Sequence, residues 1–129
     1  QLTCVDPWEA YSGHTQQAQD AKFAEAKRVL AAYKVTYMRN RSLSAVGTFR
    51  DCTLDFVFVD GHHSFENAVM DIIKWAYKVK MGGIVAVHDY HPNVGCDVIE
   101  AVNGYTRSNH IDPWYVTREY EPTAFWVKR

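Results

Sequence analysis

Three aspartates each close a short apolar run: Asp6 after Leu2 to Val5, Asp60 after Phe56-Val57-Phe58-Val59, and Asp89 beyond Ile84-Val85-Ala86-Val87. Two of them stand beside histidines, with His62-His63 just past Asp60 and His88 directly before Asp89. A carboxylate offers two acceptor oxygens, which suits a pair of hydroxyls or a hard cation. An imidazole ionises near a pH of about 6.5, where it can take a proton from a substrate. Strands end where chains turn and turns favour aspartate, so one such acid says little. Three in register, two of them next to histidines, point to a site, because open α/β sheets bind ligands beyond the carboxyl ends of their strands. Of the neighbours, His91 before Pro92 reads as a loop residue, Tyr90 as packing, and Asp71 and Trp75 as structural positions on a helix.

The elements that must position these residues alternate along the chain. Leu2 to Val5 reads as a strand, and Pro7 discourages a helix from starting on Asp6. From about Gln16 to Tyr33, Phe23, Ala26, Leu30 and Tyr33 recur at the period of an amphipathic helix, and Val35 to Met38 reads as a second strand. The unbroken run Phe56 to Val59 predicts a strand buried on both faces, hence parallel pairing with helices on both sides. Phe65, Ala68, Val69, Ile72, Ile73 and Ala76 mark a helix whose stop is expected at Met81-Gly82-Gly83. Ile84 to Val87 repeats the buried-strand pattern, which makes a right-handed strand–helix–strand unit. A weaker helix is expected from about Val94 to Tyr105. Trp114 to Tyr120 and Ala124 to Lys128 then read as an antiparallel hairpin. The fold class is α/β, a doubly wound, mostly parallel sheet with an antiparallel finish.

The run Leu54 to Glu66, with Asp71, Trp75, Gly82-Gly83 and His88-Asp89-Tyr90, resembles class I S-adenosylmethionine-dependent methyltransferases. It is most similar to those in which Asp-Gly-x-His-Ser-Tyr/Phe-Glu precedes a Gly-Gly strand ending in His-Asp, close to the metal-dependent small-molecule O-methyltransferases. Val5-Asp6-Pro7-Trp8 resembles the second strand of that Rossmann-like sheet. The resemblance implies that Asp6 binds the ribose hydroxyls of S-adenosylmethionine, that Trp8 offers a face near the adenosine, and that Ser42 and Leu43 lie near the adenine. It implies a divalent metal at Asp60, His88 and Asp89, with magnesium or manganese the expected ions. An imidazole among the ligands tilts the preference from magnesium or calcium toward manganese, iron or zinc. His63 falls where catechol-type enzymes carry a lysine base, which implies that it removes the acceptor proton. The expected activity is methyl transfer to a small molecule, to oxygen, with metal assistance.

The family's glycine-rich turn normally precedes the strand matched by Leu2 to Val5, yet only Gly13 and Gly47 come before Gly61. The resemblance therefore implies a sheet whose first strand and helix are missing, within one partial domain over residues 1–129. Loss of that central strand would leave its two neighbours with unpaired edges. A homodimer pairing those edges, or a re-registered sheet, would fill the gap, and without either the cofactor should bind weakly or not at all. The runner-up is a non-catalytic remnant of the fold acting as a binding or oligomerisation module. A third reading, rated lowest, is a cofactor-free metal protein using Asp60, His63, His88, Asp89 and His91.

Composition narrows the partners. At 47% hydrophobic residues over 129 positions, the chain can build a core, which excludes a disordered segment. A net charge of −1 without basic blocks argues against nucleic acid, and no apolar run approaches the length that spans a membrane. Three widely spaced cysteines, Cys4, Cys52 and Cys96, read as free thiols of a cytoplasmic protein. The expected partner is a small-molecule methyl acceptor.

Overall fold

The computed structural model describes residues 1–93 and 95–129. Val94, where the sequence reading starts the last helix, lies outside the described residues. The chain divides into two compact units, residues 1–45 and 46–129, each with its own sheet.

In the first unit, β1 (Leu2–Val5) and β2 (Val35–Met38) pair in parallel, Leu2 opposite Val35 and Val5 opposite Met38. Between them runs α1 (Gln16–Val29), and α2 (Ser42–Ala45) follows β2. Thr15 starts α1 by accepting the Ala18 N–H on its hydroxyl at 3.2 Å. The apolar stripe of α1 meets the strands through an aromatic trio: the Phe23 ring lies 4.5 Å from Trp8 and 5.7 Å from Tyr37. The helix ends at Val29, short of the expected Tyr33. The chain must turn there to bring Lys34, whose carbonyl accepts the Leu2 N–H, into line with β1.

The second unit holds a 3-10 turn (Val46–Thr48), β3 (Leu54–Val59), α3 (Phe65–Lys78), β4 (Val79–Val87), α4 (Val98–Ser108), β5 (Tyr115–Val116) and β6 (Ala124–Val127). The strand order is β3-β4-β6-β5, with β3 and β4 parallel and β6 antiparallel to both its neighbours. Register puts Val59, Val85, Val87, Ala124 and Trp126 on one face, all buried. Ala68, Ile72, Trp75 and Ala76 of α3 and Val98, Ala101 and Val102 of α4 are buried as well, at helical spacing. The Tyr105 ring of α4 lies 5.7 Å from Trp126.

The opposite face differs from expectation. Phe56 is 50% exposed and Phe58 47%, and with Ile84, Tyr115 and Val127 they leave an apolar face open. The unbroken apolar run predicted cover on both sides, whereas only the alternate residues, Val57 and Val59, turn toward α3. The expected strand Trp114 to Tyr120 is reduced to Tyr115–Val116.

The glycines also fall elsewhere than predicted. α3 stops at Lys78, where Lys128 Nζ donates to the carbonyls of Ala76 and Val79 at 2.8 and 2.7 Å. Gly82 and Gly83 lie inside β4, in a bulge between the pairs Leu54–Val79 and Phe56–Ile84. Gly82 takes φ 79°, and a β-carbon at Gly83 would lie 2.8 Å from the Asp55 carbonyl oxygen. Among the described residues, β1 has β2 as its strand neighbour and β3 has β4, so each keeps one edge without a strand partner.

Candidate functional site

Parallel pairing sets Val59 opposite Val87, so Asp60 and His88-Asp89 leave the sheet side by side. The His88 N–H donates to the Val59 carbonyl at 2.9 Å and fixes that exit. Asp89 then adopts φ 60°, a left-handed conformation that costs a residue with a β-carbon roughly 1–2 kcal/mol. Such strain gathers at functional sites. The Asp89 carbonyl accepts the His91 N–H at 2.8 Å and faces Cys96 Sγ at 3.4 Å, while Asp97 N–H donates to the His63 carbonyl at 2.8 Å. These bonds tie the loops after β3 and β4 to the start of α4.

The side chains converge on the carboxylate of Asp89, whose side chain is only 10% exposed. His63 Nε2 lies 2.9 Å from Oδ2, His88 Nδ1 3.3 Å from Oδ2, and His91 Nε2 3.3 Å from Oδ1. His88 Nδ1 is also 3.6 Å from Asp60 Oδ1, and the ring packs 5.5 Å from Phe58. His88 Nδ1 is buried without a hydrogen-bond partner, as is His91 Nδ1. Asp60, His63 and Asp89 present ligand atoms within 4.8 Å of one another, and so do His88, Asp89 and Glu121. These two groups make the cleft a candidate metal centre. Glu121 was missed by the sequence reading; it belongs to the hairpin turn whose Pro122 carbonyl accepts the Tyr90 N–H at 2.8 Å. Its place three residues before the start of β6 was the available signal. Nearby, the hydroxyls of Thr117 and Thr123 hold the exposed Glu119 carboxyl below its usual range.

The remaining neighbours lie around this centre. His62 Nδ1 accepts the Ser64 N–H at 3.2 Å, just ahead of α3. Tyr90 donates its hydroxyl to Asn103 Oδ1 at 3.0 Å and sets its ring 5.4 Å from Trp114. Trp75 packs 5.1 Å from Phe49. Asp71 is buried in the same cleft, and a β-carbon on Gly61 would come 2.9 Å from its Oδ2, so only glycine fits there without displacement.

The four residues assigned to a cofactor lie in the first unit. Asp6 is exposed, and its Oδ1 accepts the Trp8 N–H at 2.5 Å in a turn that gives Trp8 φ 45°. Trp8 itself is 7% exposed and packs on Phe23. Ser42 begins α2 half-buried, and Leu43 beside it is exposed.

Residues 1–90 match the family described as Methyltransferase domain. The chain belongs to that family. Solved structures with the same fold include a Corynebacterium glutamicum protein (TM-score 0.60, 21% identity, 98% of this chain and 60% of that one). The O-methyltransferase NovP matches with TM-score 0.63 and 17% identity, over 98% of this chain and 59% of its own. TomG, an O-methyltransferase from Streptomyces achromogenes solved with SAM, matches at TM-score 0.56 and 18% identity, over 99% and 62%. This methyltransferase-family chain thus spans about 60% of the length of the structures it resembles. No curated protein matches it. No described helix is long and apolar enough to cross a membrane.

Proposed function

We propose that the protein transfers a methyl group from S-adenosylmethionine to an oxygen of a small molecule, with a divalent ion at Asp60, His88 and Asp89. What supports the metal is His88 Nδ1, buried without a hydrogen-bond partner yet facing Asp60 Oδ1 at 3.6 Å and Asp89 Oδ2 at 3.3 Å. Two carboxylates around an unpaired imidazole nitrogen suit a cation, and a mixed oxygen–nitrogen set favours manganese over magnesium. When bound, the ion supplies Lewis-acid polarisation of the acceptor hydroxyl. His63, with Nε2 turned to Asp89 at 2.9 Å, would take the acceptor proton on Nδ1. The acceptor oxygen then attacks the methyl carbon, the carbon–sulfur bond breaks, and sulfur keeps the electron pair, leaving S-adenosylhomocysteine. Asp6 is the proposed anchor for the cofactor ribose, with Trp8, Ser42 and Leu43 around the adenosine. A cytoplasmic location fits the free thiols Cys4, Cys52 and Cys96.

The test is calorimetric titration with S-adenosylhomocysteine, with and without magnesium or manganese. Micromolar binding that disappears in Asp6→Ala supports the reading. No heat at millimolar ligand refutes it. The second reading, a binding or oligomerisation module, is favoured by the open Phe56–Phe58 face and the open β3 edge. In that reading a second copy pairs along the edge, and light scattering gives the mass of a homodimer; a monomer at all concentrations removes it.

A further inference from the structure

Of the imidazoles around Asp89, only His91 has no part in the chemistry proposed above. Its side chain is 14% exposed, and Nε2 stands 3.3 Å from Asp89 Oδ1, the oxygen turned away from His63 and His88. The same residue's N–H donates to the Asp89 carbonyl at 2.8 Å, so one residue holds Asp89 at main chain and side chain. The final torsion of an aspartate is broad and roughly two-fold, so the side chain has little intrinsic preference for which oxygen faces the cleft. A neighbour must choose.

We infer that His91 is a positioning residue: Nε2–H donates to Asp89 Oδ1 and so keeps Oδ2 directed at His63 and His88. Its other nitrogen, Nδ1, is buried with no hydrogen-bond partner, which leaves Nε2 as the place where a proton finds an acceptor. Pro92 follows directly and restricts the backbone of His91, limiting the freedom of the ring's anchor. A carboxylate that binds metal commonly has its outer oxygen held in this manner, and losing the outer partner weakens metal binding by about 10–100-fold. The inference rests on the proposed metal site for one of its readouts only.

The variants are His91→Ala and His91→Gln, since a glutamine amide carries a donor near the position of Nε2. If His91→Ala does not fold, His91→Asn replaces it, because its shorter amide does not reach Oδ1. The first readout needs no metal: the ring nitrogen and proton signals of His63 by NMR, at a pH above the ordinary imidazole value of about 6.5. The second is Mn²⁺ affinity from the paramagnetic resonance of the free ion. His91→Ala should move the His63 signals and weaken Mn²⁺ binding by about 10–100-fold, and His91→Gln should restore both. If the native protein takes no Mn²⁺, the metal reading fails and the His63 signals alone judge His91. Native His63 signals in His91→Ala overturn the inference, as does native Mn²⁺ affinity in a protein that binds the ion.

Discussion

Replacing Gly83 by alanine tests the bulge that brings the site into register. A β-carbon there would lie 2.6 Å from Val79 Cγ1, 2.8 Å from the Asp55 carbonyl oxygen and 3.0 Å from that of Lys80. Carbon contacts are favourable at about 3.5–4.0 Å, so all three overlap. Two are backbone atoms of paired strands, and relief requires β3 and β4 to shift against each other. Overpacking costs about 1–3 kcal/mol, and backbone on two sides places this case near the upper end. Gly82 is the control: at φ 79° with nothing within 4 Å, alanine meets only the left-handed penalty, about 1–2 kcal/mol. At about 3–5 °C per kcal/mol for a domain of this size, Gly83→Ala should lower Tm by roughly 10–15 °C and Gly82→Ala by roughly 5 °C. Val79→Ala combined with Gly83→Ala removes the closest overlap and should be less destabilised than the sum of the two, by a coupling of about 0.5–3 kcal/mol. Thermal unfolding followed by circular dichroism compares Gly82→Ala, Gly83→Ala, Val79→Ala and the double variant with the native protein. A Gly83→Ala variant as stable as Gly82→Ala would refute the bulge geometry.

Asp89→Asn keeps the side-chain shape, and asparagine tolerates left-handed backbone, so Tm should hold within a few degrees while Mn²⁺ affinity falls at least about 10-fold; unchanged affinity in the resonance titration would remove Asp89 from the ligand set. Mass mapping after brief alkylation should find exposed Cys52 modified first and buried Cys96 last, with Cys4 slowed because burial pushes its thiol up. Cys4 reacting ahead of Cys52 would contradict this. Lys78 and Lys80 hold the exposed carboxyls of Asp51 and Asp55 below the usual range. Their unfolded forms bind protons first, so this stability is present above an ordinary carboxyl pKa of about 4 and is lost as pH falls through the lower folded values. Urea midpoints across that range should fall less steeply with acid in Lys78→Met, and an identical slope would show that the pair contributes nothing.

Local periodicity made most of the elements legible. β1 and β2 match their expected spans, and α3 begins at the first residue of its apolar stripe, because one face of each element must be buried. The errors fall where long-range pairing decides. Gly82-Gly83 carries the signature of a helix end, and only the pairing of Ile84 with Phe56 reveals that the two glycines absorb extra residues inside a strand. Phe56 to Val59 reads as buried on both faces, since a run of apolar residues carries no record of whether a second layer covers it. Of the three acids read at strand ends, the second unit brings Asp60 and Asp89 together with His63 and His88, while Asp6 lies in the first unit. Glu121 was not read into the site, and His91 entered only the lowest-rated metal reading, because each approaches Asp89 through a loop whose path depends on tertiary hydrogen bonds.

Several departures from ordinary packing meet at the carboxyl end of β4. Asp89 takes a backbone conformation that favours glycine, buries a carboxylate, and stands beside two imidazoles whose Nδ1 atoms are buried without hydrogen-bond partners. Each feature costs stability on the order of 1 kcal/mol or more, and the core formed by Val85, Val87, Ala101, Val102 and Trp126 shows none of them. Glycine at 89 would relax the backbone, and an apolar residue would remove the buried charge, so folding alone favours a different residue on both counts. What aspartate uniquely supplies at that position is two oxygens held between His63 and His88 on one side and His91 on the other. A cation or a shared proton between those groups offsets the cost of burying Asp89, and an interaction partly withdrawn from water is stronger than one in bulk solvent. The strain is therefore better explained by chemistry at Asp89 than by packing around it.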